Sequence, residues 1–373
     1  MTAVYKFLDR QGIRLGGPLS LIFFVLIGVG CQQKAQEQVS IFWEEGQARG
    51  VVIPKSLLAN SSNENLNNVL QIRLANSRVP MLGRYQVVSN DNIRFKPLIP
   101  LTPGKTYEVF YKGSLIGRVS TPLPDKSTAP ALVAIYPSAD TLPENLLKVY
   151  LQFSAPMREG EALQHIHLLS SASDTIPNIF LDLQPELWNR ERTALTVWLD
   201  PGRIKRDLVP NQQFGNPLQR GAQYNLVVDK DWKDVQGLAL QQPYTKRVVV
   251  TGRDNEVPQP QGWRIELPTA ETTRPLRIHF GESLDYFLLP ETILVVGEKG
   301  DLLKGNIQIL DKERGIEFTP EISWKPGKYR LRIATYLEDL AGNNLNRPFD
   351  RDTKFQQKKE GDFVEREFVI RDR

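Results

Sequence analysis

An all-β fold of three tandem β-sandwiches behind an N-terminal export signal is what this sequence predicts. Three observations predict it. Strands written in period two recur at matching places in three segments. A second pattern, an apolar strand, a proline-bearing turn and then a tyrosine opening the next strand, also occurs three times. No stretch after residue 40 sustains a helical period of comparable strength.

The first element is the signal. Lys6, Arg10 and Arg14 precede the apolar run from Leu19 to Gly30, which stops abruptly at Cys31, the one cysteine of the chain. A basic region followed by an apolar one is the form of an export signal. The run is shorter than the roughly 20 residues a permanent span needs. Residues 1–30 are therefore expected to be removed, with 31–39 left as a polar tether.

Two breaks rich in Pro, Asp, Ser, Gly and Asn, Pro122 to Pro130 and Thr251 to Gly262, divide the remainder into sandwiches at 40–122, 132–250 and 262–373. The leading strands present Leu70, Ile72 and Leu74 in the first segment, Val149, Leu151 and Phe153 in the second, and Leu276, Ile278 and Phe280 in the third. The second pattern runs from Ile93 to Tyr107, from Leu195 to Tyr224 and from Ile316 to Tyr329. Tyr107, Tyr224 and Tyr329 then sit where a core-facing phenol can return its hydroxyl to backbone at a corner, which satisfies a buried polar atom.

These residues carry a resemblance. Phe153-Ser154-Ala155-Pro156-Met157, the Gly-x-x-Tyr strand opening, Leu337 to Asn343 and its counterpart Trp232 to Gly237 resemble the SbsA-type bacterial immunoglobulin-like (Ig-like) domain of S-layer and other cell-surface proteins. The second and third segments match well; the first has only the Pro-Gly-Lys-Thr-Tyr turn. Leu199 to Arg206, continuing to Tyr224, resembles a group of exported bacterial proteins of unassigned function. Gly30-Cys31 resembles the lipobox of bacterial lipoproteins, with Gly28 where that family usually has leucine. The resemblance implies that Cys31 is acylated and becomes the mature N-terminus, and Gln32 resembles the outer-membrane class. Location in the cell envelope and attachment to a membrane through the lipid follow from it.

Composition narrows the function. One cysteine excludes an internal disulfide, and His165, His167 and His279 are the only histidines. The formal charge of +4 falls to +2 when Lys6, Arg10, Arg14 and Asp9 leave with the signal, which gives no electrostatic case for nucleic acid. There is no Gly-x-Ser-x-Gly, His-Glu-x-x-His, phosphate loop or dinucleotide fingerprint. No enzyme, cofactor or metal is expected.

Asp234 and Asp339, in Asp-x-x-Gly turns, read as turn caps rather than calcium ligands. His165 and His167 read as one solvated strand face. The 24 residues 200–223 between strand and tyrosine replace nine and eight in the other two copies. This insertion, with Arg203, Lys205, Arg206 and Arg220, is the candidate binding loop; the alternative is a plug for the sandwich end. The function expected is an envelope scaffold, adhesion or interaction protein acting by contact with a protein partner. A carbohydrate-binding surface using Trp188, Trp232 or Trp324 is the runner-up, and a hydrolase built on two facing carboxylates the third.

Overall fold

The computed structural model describes residues 38–372 except 45, 59–64, 90, 173 and 351–360; the signal, Cys31 and most of the tether lie outside the described residues. The chain is all-β, a tandem of Ig-like sandwiches.

In the first, β1 (Ser40–Glu44), β2 (Gln47–Pro54), β4 (Gly83–Val87) and β5 (Asn92–Pro97) form one sheet in the order β1-β2-β5-β4. The other sheet is β3 (Leu70–Leu74), β6 (Thr106–Tyr111) and β7 (Ser114–Ser120). Alternation sends Val51, Ile53, Ile93 and Phe95 from one sheet against Leu70, Ile72 and Val109 from the other. Leu74, expected inward, is 38% exposed, because the strand ends there and the backbone turns at Ser77. Val39, expected in the tether, is buried instead, over a glycine: a Cβ on Gly117 would lie 1.9 Å from Val39 Cγ2.

The second sandwich pairs the sheet β12 (Leu187–Trp188), β13 (Ala194–Trp198), β10 (Lys148–Phe153), β8 (Leu132–Tyr136) with the sheet β11 (Ile166–Ser170), β14 (Gln223–Val228), β15 (Tyr244–Thr251), β9 (Thr141–Pro143). The β9–β15 pairing is parallel, Val249 opposite Thr141 and Thr251 opposite Pro143. In the third, β16 (Arg264–Glu266), β17 (Leu276–His279), β20 (Gly315–Pro320) and β19 (Gly305–Ile309) face β18 (Ile293–Gly297), β21 (Gly327–Ala334) and β22 (Phe363–Ile370). Each sandwich has its own apolar cluster.

The three tyrosines lie at equivalent corners. Tyr107 accepts from the Thr102 N–H at 2.7 Å and Tyr224 from the Gln219 N–H at 3.2 Å. Tyr329 accepts from the Lys325 N–H at 3.1 Å and donates to the Lys325 carbonyl at 2.9 Å. No helix among the described residues is long and apolar enough to cross a membrane.

Candidate functional site: the junction of the second and third sandwiches

Strand β10 was expected to bury one face; the third sandwich covers part of the other. Tyr150, between the core residues Val149 and Leu151, is 8% exposed, and its hydroxyl donates to Asp285 Oδ2 at 2.6 Å. Lys148 Nζ lies 2.7 Å from the same oxygen and 2.8 Å from Glu338 Oε2. Burial alone pushes the Lys148 ammonium down, and the two carboxylates more than reverse this, so the net shift is upward. Burial and the Asp285 charge push the Tyr150 phenol far up. Both groups therefore hold their protons at neutral pH, and the buried cation faces two acids.

Around this centre the contact continues. Tyr136 stacks on Tyr286 with centroids 3.5 Å apart, and Phe287 tilts against Tyr150 at 4.7 Å. Glu313 is 1% exposed, yet both its oxygens accept from the Ser138 N–H, at 3.1 and 2.9 Å. It is held there by left-handed backbone at Lys312 (φ 58) and Glu313 (φ 55), a conformation that costs about 1–3 kcal/mol per residue and persists only where the surroundings impose it. The Leu147 N–H reaches the Leu340 carbonyl at 3.0 Å. Asn145 exchanges two hydrogen bonds with the backbone of Asp254, at 2.7 and 2.9 Å, and Asn343 adds a third at 3.2 Å. The linker between the two sandwiches is thus fastened to both.

The insertion leans on this junction. Asp200 caps a helical turn at Pro201–Ile204, and a six-residue helix follows at Val209–Phe214. Arg203, placed in the candidate binding loop, is 7% exposed, and its guanidinium donates to the carbonyls of Pro177, Asn178, Phe214, Gly215 and Asn216 at 3.1–3.5 Å. Its five donors are used within the second sandwich, three by carbonyls of the loop and two by those of Pro177 and Asn178, so it presents nothing to a partner. Ile204 is fully buried in the second core, whereas Phe214 is 63% exposed. Lys205 stands over the Phe349 ring at 4.4 Å. Arg206 and Arg253 share Asp350 Oδ2 at 2.9 and 2.6 Å. Arg220 lies exposed beside Gly252. The loop plugs the sandwich end through Ile204 and Arg203 and braces the third sandwich through Lys205 and Arg206.

Three carboxylates converge at the rim of the junction: Asp254 on the linker, Glu282 after β17 and Asp339 in its turn, with one oxygen from each within 4.8 Å of the others. Asp254 and Glu282 border a cleft of about 500 Å³ whose walls include Asp140, Arg253, Lys312 and Arg314. Burial raises Glu282 to about 7, with the Asp254 charge adding to it. Burial raises Asp339 to about 8 against the hydrogen bonds of its own turn, and burial raises Asp254 as well. A carboxyl near 7 beside a second acid is raw material for acid–base chemistry. Asp339, however, is 1% exposed, its Oδ1 accepts from Ala341 and Asn343 and its Oδ2 from the Asn343 amide. Asp254 caps the Glu256 N–H.

Asp234 does in its turn what Asp339 does, accepting from Gln236 and Leu238. The two histidines do not share a strand face. His165 ends a helical turn, Ala162–His165, and stacks on Trp232, while His167 in β11 pairs with Asp229 at 2.9 Å. Trp232 and Trp324 are buried and Trp188 packs against the second core, so these three make no exposed aromatic row. The junction groups escaped the sequence because Lys148, Tyr150, Asp285 and Glu338 are separated by up to 190 residues. Their one local signal is an aromatic on the polar face of β10.

No family model and no curated protein matches the chain. Solved structures give likenesses. The native alpha-2-macroglobulin of Escherichia coli, in a structure spanning domains MG0-NIE-MG1, aligns at 10% identity and a TM-score of 0.22, over 55% of this chain and 66% of that one. An I-band fragment of titin aligns at 9% and 0.21, over 70% and 81%. Domains 4–9 of the surface layer protein SbsC align at 12% and 0.21, over 78% of this chain and 41% of that one.

Proposed function

We propose that this protein is an exported lipoprotein of the cell envelope, anchored through Cys31, which works as a scaffold: it presents Ig-like sandwiches in fixed relation to a protein partner and catalyses nothing. The observation that supports this most is the buried junction, where Lys148, Tyr150, Asp285 and Glu338 form a network between two sandwiches. Domains that merely share a chain move freely, and a buried, fully partnered contact is what suppresses that motion. The charged residues of the insertion add braces to the junction, which fits a structural role for the loop. Trp232 and Trp324 are buried and Trp188 packs half-buried against the second core, which weighs against a glycan reading on these three.

The test combines address and action. Crosslinking in intact cells, followed by recovery of the acylated protein, is expected to give one protein partner from the wild type and markedly less from Lys148→Met, which uncouples the sandwiches but leaves Cys31 alone. Recovery of polysaccharide in place of protein, or equal partner yield from both forms, would replace the scaffold reading.

A further inference from the structure

We propose that the junction of the second and third sandwiches is a proton-operated latch, closed while Glu282 and Asp339 carry protons and loosened when they ionise beside Asp254. The geometry comes first. Asp254 sits on the linker that must move if the sandwiches part, and it is tied to the second by Asn145 and to the third by Asn343. Its carboxylate meets those of Glu282 and Asp339 within 4.8 Å. Three ionised carboxylates at that spacing repel, and opening of the linker is the movement that takes Asp254 away from the other two.

The groups facing the cluster are Asp254, Glu256 and Arg314 around Glu282, and Asp254 with Asn343 around Asp339. Asp140, Arg253 and Lys312 stand farther along the cleft. Of the cations, Arg314 donates to the Gly281 carbonyl while its charge lowers Glu282, and Arg253 donates through Nη2 to Asp350 and the Ile204 carbonyl. Burial and the Asp254 charge outweigh the Arg314 charge at Glu282, so a proton is what keeps that carboxyl quiet.

The sign follows from linkage. The carboxyls are raised in the closed form, Glu282 to about 7 and Asp339 to about 8. Well below their ordinary range, near pH 4, both forms are protonated and closure carries no penalty. Between that range and about 8 the open form releases protons that the closed form keeps, so opening becomes easier by up to about tenfold per pH unit for each proton. Above about 8 the penalty is complete. The latch holds in mild acid and loosens in mild alkali.

Hydrogen exchange on the mature full-length chain, corrected for the intrinsic rate, reads rare opening at two bridging amides: Leu147, bound to the Leu340 carbonyl, and Asp254, bound to Asn145. Their protection is expected to fall about tenfold or more from pH 6.5 to 8.5, while Leu331 and Ile333 in the third core hold theirs. Glu282→Gln combined with Asp254→Asn, which keeps the cap on Glu256, should lessen the fall, leaving only the part that Asp339 carries. Protection that is constant with pH in the wild type, or that falls equally in the double variant, overturns the latch. The junction is the one on which the scaffold reading relies, but this measurement stands whether or not Cys31 is acylated.

Discussion

At the scale of single residues, the corner tyrosines and Lys148 answer to the same rule: a buried polar atom must have its partner. Tyr329 both accepts and donates at its corner, whereas Tyr224 makes a single, longer contact. Tyr329→Phe is expected to cost about 1–1.5 kcal/mol and Tyr224→Phe less, near 0.5–1 kcal/mol, read as a shift in urea midpoint at constant slope. Equal midpoints for both variants and the wild type would remove the corner role. Lys148→Met is harsher, because it leaves Asp285 buried at 3% side-chain exposure and facing Glu338 without a cation. Breaking such a network from one side costs about 3–5 kcal/mol, and a loss below 1 kcal/mol in the same titration would show that the network is solvated. Tyrosine corners were legible in the sequence since their signal spans five residues. Lys148 was not, because a lysine on an outward strand face looks the same whether water or another sandwich covers it.

Among elements, strands, breaks and repeats could be read from period two and from turn chemistry, and so could the excess length of the insertion. What filled that insertion could not, since five carbonyls converge on Arg203 only after the loop has folded. Arg203→Met should therefore destabilise the second sandwich by about 2–3 kcal/mol, measured by thermal unfolding, while Arg206→Ala, an exposed side chain whose partner Asp350 keeps Arg253, costs under about 1 kcal/mol. The Asp-x-x-Gly turn makes a sharper test of the junction. Gly342 has φ +79, and a Cβ there would come 2.3 Å from Leu147 Cδ2 across the interface; Gly300 has φ +86 and open space. Both alanine variants bear the left-handed penalty of about 1–2 kcal/mol, so any further loss in Gly342→Ala measures the contact. Because Asp234 and Asp339 satisfy their turns with their own chain, EDTA should leave the unfolding midpoint unmoved; a large loss reversed by calcium would contradict that account.

For the whole molecule, the two junctions differ in kind. Between the first and second sandwiches the contact includes one long hydrogen bond, Gln47 Nε2 to the Val235 carbonyl at 3.5 Å, and the linker carries the exposed Lys126. Limited trypsin is expected to cut after Lys126 and release the first sandwich, leaving the other two as one resistant fragment with Arg253 protected; a first cut at Arg253 would reverse the order of rigidity. The proposed address rests on a residue outside the described structure: if Cys31 is the anchor, Cys31→Ser should move the protein from membranes to the soluble fraction or leave it uncleaved, since stable anchoring takes more than one acyl chain. The parallel pairing of β9 with β15 then acquires a mechanical meaning. The second sandwich is entered through β8 and β9 and left through β15, so tension between an anchored end and a gripped one drives β9 and β15 in opposite directions along their common axis. Their hydrogen bonds bear that load together as a shear, where a hairpin would surrender them one at a time, and the middle of the chain becomes the part best able to transmit a pull.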